Sequence, residues 1–186
     1  MNYIFLDLET TGFAPSYASI IEVAALMVEI ENGVATLRDS FHEYIKPYGG
    51  IPAKITELTG ISNDMVANCD SEKKVLQNLS MWLLGNEYDK FEVIAHNGKF
   101  DVRFLTGRGK LYSLDCFDYM NNCLIDTLPI ARKLIKEGKI TTEDNSAKLE
   151  CLANAFNVQF NAHSALEDTK ALVKVYCNMR KVEGKL

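Results

Sequence analysis

The sequence lacks the cysteine patterns of a zinc site, because it contains neither a CxxC pair nor a Cys/His cluster at zinc spacing. Its five cysteines, an odd number, indicate reduced thiols rather than a disulfide framework. It also lacks a run of about 18 apolar residues, so we expect no membrane span. No basic segment precedes its first apolar run, which predicts a protein without a secretory signal, located in the cytoplasm.

An excess of basic residues is missing as well. The chain has 20 Lys and Arg against 25 Asp and Glu, which gives a net charge of −5. Proteins that neutralise many phosphates are usually basic, so tight non-specific binding of duplexes is not expected. The charge is compatible with a short single-stranded substrate, which requires few phosphate contacts. The length of 186 residues and the apolar fraction of 47% predict one domain, residues 1–186, with a sizeable core.

The order of apolar segments predicts an α/β fold. Strands are expected at 3–8, 19–30 and 35–45, and Asn32-Gly33 favours a hairpin turn between the second and third. The segments that follow are predicted as helix 72–84, strand 91–95, helix 100–111, strand 122–125 and helices 128–136, 147–156 and 165–180. An antiparallel three-strand meander followed by alternating strands and helices is typical of a mixed sheet flanked by helices.

The first acidic segment is Asp7-Leu8-Glu9-Thr10-Thr11-Gly12. Side chains alternate along a strand, so Asp7 and Glu9 should share one face with Phe5, and Ile4, Leu6 and Leu8 should take the other. Two neighbouring carboxylates repel each other, and a hard divalent metal commonly holds such a pair. A strand that ends in solvent explains the same pattern equally well.

The second acidic segment, His96-Asn97-Gly98-Lys99-Phe100-Asp101, follows a predicted buried strand and begins a helix. Asn97 is predicted to cap that helix, which places Asp101 in its first turns. Simple capping, with an acid that is favourable near the helix dipole, is the alternative interpretation.

The third acidic segment is His163-Ser164-Ala165-Leu166-Glu167-Asp168-Thr169. Ser164 and Glu167 have the spacing of a capping box, so the helix should begin near Ala165, with His163 on the entering loop and Asp168 one turn inside. A histidine titrates near neutral pH, which suits a general base. A surface histidine before a capped helix is the alternative.

Taken together, the three segments resemble the motifs of the DEDDh 3′→5′ exonucleases, which include proofreading subunits of bacterial DNA polymerases, RNase T and oligoribonuclease. Weaker similarity at 55–62, 125–128 and 148–152 extends the resemblance over nearly the whole chain. It implies an RNase H-like fold with two Mg²⁺ or Mn²⁺ ions. The residues that match the four metal-binding acids and the general base of the family are Asp7, Glu9, Asp101, Asp168 and His163. Asp126 matches another acid near the fifth strand and is not assigned to the metals.

The resemblance also implies recognition of a free 3′ end. We expect backbone amides around Thr10 and Thr11 to contact the 3′-hydroxyl, with a flexible turn at Gly12. Phe13 and Ile61 are candidates to flank the terminal base, although ordinary packing explains them equally well. The substrate contacts predicted in total are Thr10, Thr11, Gly12, Phe13, Ile61 and Asn97.

Two positions depart from the family pattern. Gly98 stands where the family more often has alanine, which predicts a looser loop. Thr59 stands where several proofreading members have histidine, so a substrate contact there is in doubt.

The sequence predicts a metal-dependent 3′→5′ exonuclease that releases nucleoside 5′-monophosphates, with single-stranded DNA slightly favoured and a polymerase or repair protein as a possible partner. An exoribonuclease that trims RNA or short oligonucleotides is the first alternative, since contacts to a 2′-hydroxyl leave no readable motif. A non-catalytic nucleic-acid-binding module and an acidic calcium- or magnesium-binding protein are the others. The sequence does not indicate an oligomeric state.

Overall fold

A computed structural model describes residues 2–87, 90–159 and 163–186. Its sheet contains β1 (Asn2–Thr10), β2 (Ile20–Glu31), β3 (Val34–Tyr44), β4 (Glu92–Ala95) and β5 (Leu124–Asp126). The strand order is β3-β2-β1-β4-β5. β1, β2 and β3 pair antiparallel, whereas β4 runs parallel to β1 and β5 runs parallel to β4. The predicted meander within a mixed sheet is therefore confirmed.

Helices cover both faces of the sheet. They are α1 (Ala53–Thr59), α2 (Asn63–Val66), α3 (Glu72–Gly85), α4 (Lys99–Leu111), α5 (Met120–Cys123), α6 (Thr127–Lys136), α7 (Leu149–Ala155) and α8 (Ala165–Val182). Helices α2 and α5 are short and were not predicted. Because α5 occupies the first half of the segment predicted as a strand at 122–125, β5 begins only at Leu124. In the described part of the chain, no helix has the length and apolar character needed to cross a membrane.

The side chains of β1 alternate as the sequence predicts. Ile4, Leu6 and Leu8 are buried in a core shared with α3 and α4. Phe5 lies on the opposite face, where its ring packs edge-on against Tyr176 of α8 at 5.7 Å between centroids. The face of β1 that carries Asp7 and Glu9 is thus the face that α8 covers.

Close packing at the end of β4 positions the start of α4. A Cβ atom on Gly98 would lie 2.7 Å from the Cβ of Ala95 and 2.9 Å from Cδ1 of Leu124. Glycine therefore lets α4 approach β4 and β5 closely, and the expectation of a looser loop is wrong. The prediction that Asn97 caps α4 is also wrong. Asn97 adopts a left-handed conformation (φ 61°), and its N–H donates to Oδ1 of Asp126 at 3.0 Å.

Candidate active site

Three carboxylates converge where β1 ends beside the first turns of α8. Asp7, Glu9 and Asp168 each offer an oxygen, and the three oxygens lie within 4.8 Å of one another. The period of two along β1 places Asp7 and Glu9 on one face, and the packing of α8 on that face supplies Asp168. Residues 161 positions apart in the sequence are thus brought into the range of one metal ion.

Asp101 completes the group from the first turn of α4. Its side chain is buried, and the backbone of Leu8 hydrogen bonds to its carboxylate. Asp101 is not one of the three acids whose oxygens lie within 4.8 Å of one another. It is nevertheless close enough to Asp7 to add, after burial, to the raised pKa of the Asp7 carboxyl.

The electrostatics of these acids are unusual. Burial, with repulsion from Asp168 and Glu22, raises the pKa of Glu9 to about 8. Burial also raises the pKa of Asp168 to about 6, although a hydrogen bond from the backbone of His163 partly opposes the shift. The pKa values of Asp7 and Asp101 are raised well above the ordinary range, chiefly by burial. Carboxylates placed in this way need a cation to be ionised together at neutral pH.

The donor set fits a hard divalent ion. All four side chains offer only carboxylate oxygens, the ligands that Mg²⁺ and Mn²⁺ prefer. Among the ion pairs of residues 2–87, 90–159 and 163–186, none includes Asp7, Glu9, Asp101 or Asp168. No lysine or arginine of that part of the chain therefore neutralises the cluster.

His163 lies at the edge of an open cleft beside the acids. The cleft has a volume of about 690 Å³ and is lined by Asp7 and Asp168 as well as by His163. The backbone N–H of His163 donates to Oδ2 of Asp168 at 3.2 Å, and its ring Nε2 lies 3.3 Å from Oε1 of Glu150. With a side chain 43% exposed, the imidazole is accessible from the cleft.

The predicted capping box at the start of α8 is wrong, because the cap comes from a distant residue. Glu22 of β2 is fully buried, and its carboxylate accepts from the N–H of Ala165 at 2.9 Å and from the hydroxyl of Ser164 at 3.2 Å. Oε1 of Glu22 also lies 2.8 Å from Nε2 of His42. Glu167 instead pairs with Lys170.

Sequence reasoning missed Glu22, although one signal was present. It is an acid in the middle of the apolar run Ile20-Ile21-Glu22-Val23-Ala24, where a charge is costly unless it is hydrogen bonded. Because Glu22 holds the first turn of α8, it fixes the backbone between His163 and Asp168.

A second cavity, of about 150 Å³, adjoins Glu9 and shares no lining residue with the first. Glu9 and Gly12 line it together with the exposed side chains of Phe13 and Leu58. Thr59, which departs from the family pattern, also lines it, although its hydroxyl donates to the carbonyl of Ile55 at 2.9 Å. We refer to this cavity as the Phe13 groove.

The structure places the remaining predicted contacts differently. Ile61 is buried in a core cluster with Ile21, Ile51 and Val66. It is therefore unavailable to a base, and Leu58 lines the groove together with Phe13.

One of the backbone amides predicted to contact the 3′-hydroxyl already has a hydrogen-bond acceptor within the protein. The N–H of Thr11 donates to the carbonyl of Ser19 at 2.9 Å, and the hydroxyl of Thr11 accepts from the N–H of Ser19 at 2.9 Å. The hydroxyl of Thr10 donates to the carbonyl of Gly12 at 2.7 Å. Both threonines thus stabilise the turn that carries Phe13, whereas Asn97 lines the large cleft.

The loop that carries Phe13 is fixed to α4. Arg103 donates to the carbonyl of Phe13 at 2.7 Å, and Arg108 donates to the carbonyl of Pro15 at 3.1 Å. Arg108 also pairs with the buried carboxylate of Glu72, which accepts from the N–H of Ile20 at 2.8 Å. The helix that supplies Asp101 therefore also holds one wall of the Phe13 groove.

Comparisons with known proteins place the chain in a family. The family model described as RNase T exonuclease matches residues 4–176. A DNA polymerase III of PolC type from Clostridium perfringens is 34% identical over 175 residues, which are 94% of this chain and 11% of that protein. The chain thus spans about a tenth of the length of this relative.

Solved structures share the fold. Exonuclease I of E. coli in complex with a dT13 oligonucleotide superposes with a TM-score of 0.82 at 18% identity, over 99% of this chain and 42% of that one. The nuclease domain of 3′hExo, a DEDDh family member bound to rAMP, gives a TM-score of 0.78 at 19% identity, over 100% of this chain and 94% of that one. With this family match over residues 4–176, the chain belongs to the RNase T exonuclease family.

Proposed function

We propose that this protein hydrolyses the terminal phosphodiester at the 3′ end of single-stranded nucleic acid, prefers DNA to RNA, and releases nucleoside 5′-monophosphates. The observation that carries the proposal is the convergence of Asp7, Glu9 and Asp168 within 4.8 Å, beside an accessible histidine. The preference for DNA is supported by the relative, a DNA polymerase, and by the oligonucleotide bound to exonuclease I. A polymerase context for this chain is part of the proposal on the same ground.

Asp7, Glu9, Asp101 and Asp168 would together hold two Mg²⁺ or Mn²⁺ ions. When bound, such ions stabilise the attacking and leaving oxygens of an in-line displacement at phosphorus. The protein contributes the rigid placement of the acids. Asp7 and Glu9 lie on β1, Asp101 lies on α4 and Asp168 lies on α8, and each of these elements is packed into a core.

His163 is proposed as the general base that takes a proton from the attacking water. Its Nε2 is held by Glu150, so Nδ1 is the ring nitrogen left to accept a proton in this arrangement. The contact between the His163 N–H and Asp168 keeps the base beside the acids whatever the rotation of the ring. Glu150 is thus a positioning residue that restrains the imidazole.

The Phe13 groove is proposed to hold the terminal nucleoside. Phe13 is 79% exposed and Leu58 is 53% exposed, so both present apolar surface that a base could cover. Stacking of a base on an aromatic ring contributes about 1–3 kcal/mol and depends little on sequence. The groove adjoins Glu9, which places a base bound there next to the acids.

RNA is the second candidate substrate, because 3′hExo, which shares the fold, was crystallised with rAMP. Single-stranded DNA and RNA of equal sequence, labelled at the 5′ end, distinguish the two. With Mn²⁺ we expect stepwise loss of mononucleotides, no shortening in EDTA, and a faster rate on DNA. A higher rate on RNA than on DNA would reverse the proposed substrate preference.

Variants in the same assay test the assigned residues. Asp7→Asn should abolish shortening, and His163→Ala should lower the rate about 10²–10⁴-fold. The matched control is Asp64→Asn, an exposed carboxylate on α2 outside the cluster, which should behave as the parent. If the parent protein with Mn²⁺ shortens neither strand, the proposed activity is wrong.

A further inference from the structure

Two cavities of different character adjoin the acid cluster. The Phe13 groove is lined by apolar and neutral side chains together with Glu9, and by no lysine, arginine or histidine of the described residues. The large cleft includes Arg132 and Lys148 in its walls, besides His96 and His163. The two cavities meet at the carboxylates, since Glu9 lines one and Asp7 and Asp168 line the other.

Arg132 is available to bind an anion. It projects from α6, is exposed, and forms no ion pair or side-chain hydrogen bond with another described residue. Its side chain lines the cleft, as does that of His96. By contrast the next residue, Lys133, pairs with Glu137 along the outer surface of α6 at 3.9 Å.

Lys148 adds a second positive charge to the same cleft. It stands immediately before α7 and is exposed, and within the described ranges its ammonium group has no ion-pair partner. The cleft thus carries two cations without an ion-pair partner among the described residues, beside the carboxylates of Asp7, Glu150 and Asp168. A guanidinium fork matches two oxygens of a phosphate, and an ammonium group adds a point charge beside it.

We propose that Arg132, supported by Lys148, binds the phosphodiester on the 5′ side of the one that is cleaved. This inference rests on the proposed function and defines its substrate class: oligonucleotides with at least two internucleotide phosphates. A dinucleotide offers only the scissile phosphate, whereas a trinucleotide offers one for the acids and one for Arg132.

The character of the two cavities sets the direction of the strand. A neutral base is compatible with the apolar walls of Phe13 and Leu58, and the charged backbone is compatible with the wall that carries Arg132. The opposite direction would place successive phosphates in a groove lined by Glu9, where the neighbouring guanidinium of Arg103 is already bonded to the carbonyl of Phe13. The terminal nucleoside therefore occupies the groove, and the strand leaves through the cleft.

Steady-state kinetics with Mn²⁺ test the phosphate site. The substrates are thymidine 5′-monophosphate p-nitrophenyl ester, the dinucleotide of thymidine and the corresponding trinucleotide. In the parent protein we expect the trinucleotide to exceed the dinucleotide in kcat/KM by about 10–100-fold, the range for a hydrogen-bonded charged pair. In Arg132→Ala this ratio should fall to about one, and Arg132→Lys and Lys148→Ala should give intermediate ratios.

Lys133→Ala is the matched control, because it removes one positive charge from α6 outside the cleft and should leave the ratio at the parental value. A ratio in Arg132→Ala equal to that of the parent would overturn the inference, even if both rates fell. An equal loss of the ratio in Lys133→Ala would also overturn it, since net charge would then explain the effect. If the parent hydrolyses neither the ester nor the oligonucleotides, the proposed function itself fails, which separates that failure from the failure of the phosphate site.

Discussion

Glu22 offers a sharp test of how the site is held together. Glu22→Ala removes a carboxylate that is in contact with Ala165, Ser164 and His42 at distances of 2.8 to 3.2 Å. A hydrogen bond to a charged group contributes about 1.5–3 kcal/mol, and an acid at a helix N-terminus about 0.3–1 kcal/mol. The same carboxylate repels Asp7 and Glu9, whose pKa values it helps to raise, and this repulsion offsets part of the gain.

The expected loss of stability is therefore moderate. We expect a net decrease of about 1–3 kcal/mol in the free energy of unfolding, with Tm falling about 2–4 °C for each kcal/mol in a chain of this size. The effect on rate should be larger, because a displacement of about 1 Å in a catalytic group can cost about 100-fold. We expect kcat to fall about 10–100-fold while KM for a single strand changes less than about 3-fold, since Glu22 touches no substrate.

Glu22→Gln separates positioning from charge. Its carboxamide oxygen can accept from the N–H of Ala165 and its amide can donate to Ser164, so kcat should recover to within about 3-fold of the parent. Kinetics are measured at 25 °C with saturating Mn²⁺, beside Glu43→Ala, which removes an exposed acid from β3. If Glu22→Ala kept the parental kcat, or if Glu22→Gln lost as much as Glu22→Ala, Glu22 would not act by holding α8.

Three further predictions follow from the site and its packing. In EDTA, folded Glu9 (pKa about 8) and Asp168 (pKa about 6) hold protons that the unfolded chain has already lost. The free energy of unfolding therefore falls as the pH rises through these values. Tm measured from pH 5 to pH 9 should decrease, and it should decrease less in Glu9→Gln. Saturating Mn²⁺ should raise Tm most at pH 9, and a Tm in EDTA that rises with pH would contradict the raised pKa values. Gly98→Ala places a Cβ 2.7 Å from that of Ala95 and should lower the free energy of unfolding in urea by about 1–3 kcal/mol. The control Gly85→Ala, whose Cβ meets nothing within 4 Å, should not lower it. An unchanged urea midpoint for Gly98→Ala would refute the close packing. Phe13→Ala should lower kcat/KM on single strands about 5–100-fold and Phe13→Tyr much less, and equal losses in the two variants would exclude stacking.

Much of the fold could be predicted from local patterns. The alternation along β1 assigned Ile4 and Phe5 to opposite faces, and the structure places them in separate cores. The same alternation placed Asp7 and Glu9 side by side. These predictions succeed because the period of a strand depends on the backbone alone.

The errors arise where tertiary contacts replace local ones. A capping box was predicted for Ser164, but a buried acid from β2 takes its place. Asn97 was expected to cap α4, but Gly98 takes the N-cap position, and the backbone of Asn97 is bonded to Asp126, 29 residues away. No local rule could show that a Cβ at Gly98 would meet Ala95 and Leu124, because that contact depends on how β4 and β5 pair.

The attachment of the Phe13 loop to α4 has a consequence for the length of the product. Arg103 joins the loop to the helix that carries Asp101, so the groove wall and this acid are attached to one helix. Their separation sets which bond the proposed site would cut, and the shared helix restrains that separation. In the proposed reaction, the spacing between the bound base and the point of cleavage is therefore a property of one helix, and each cycle removes the same length of strand.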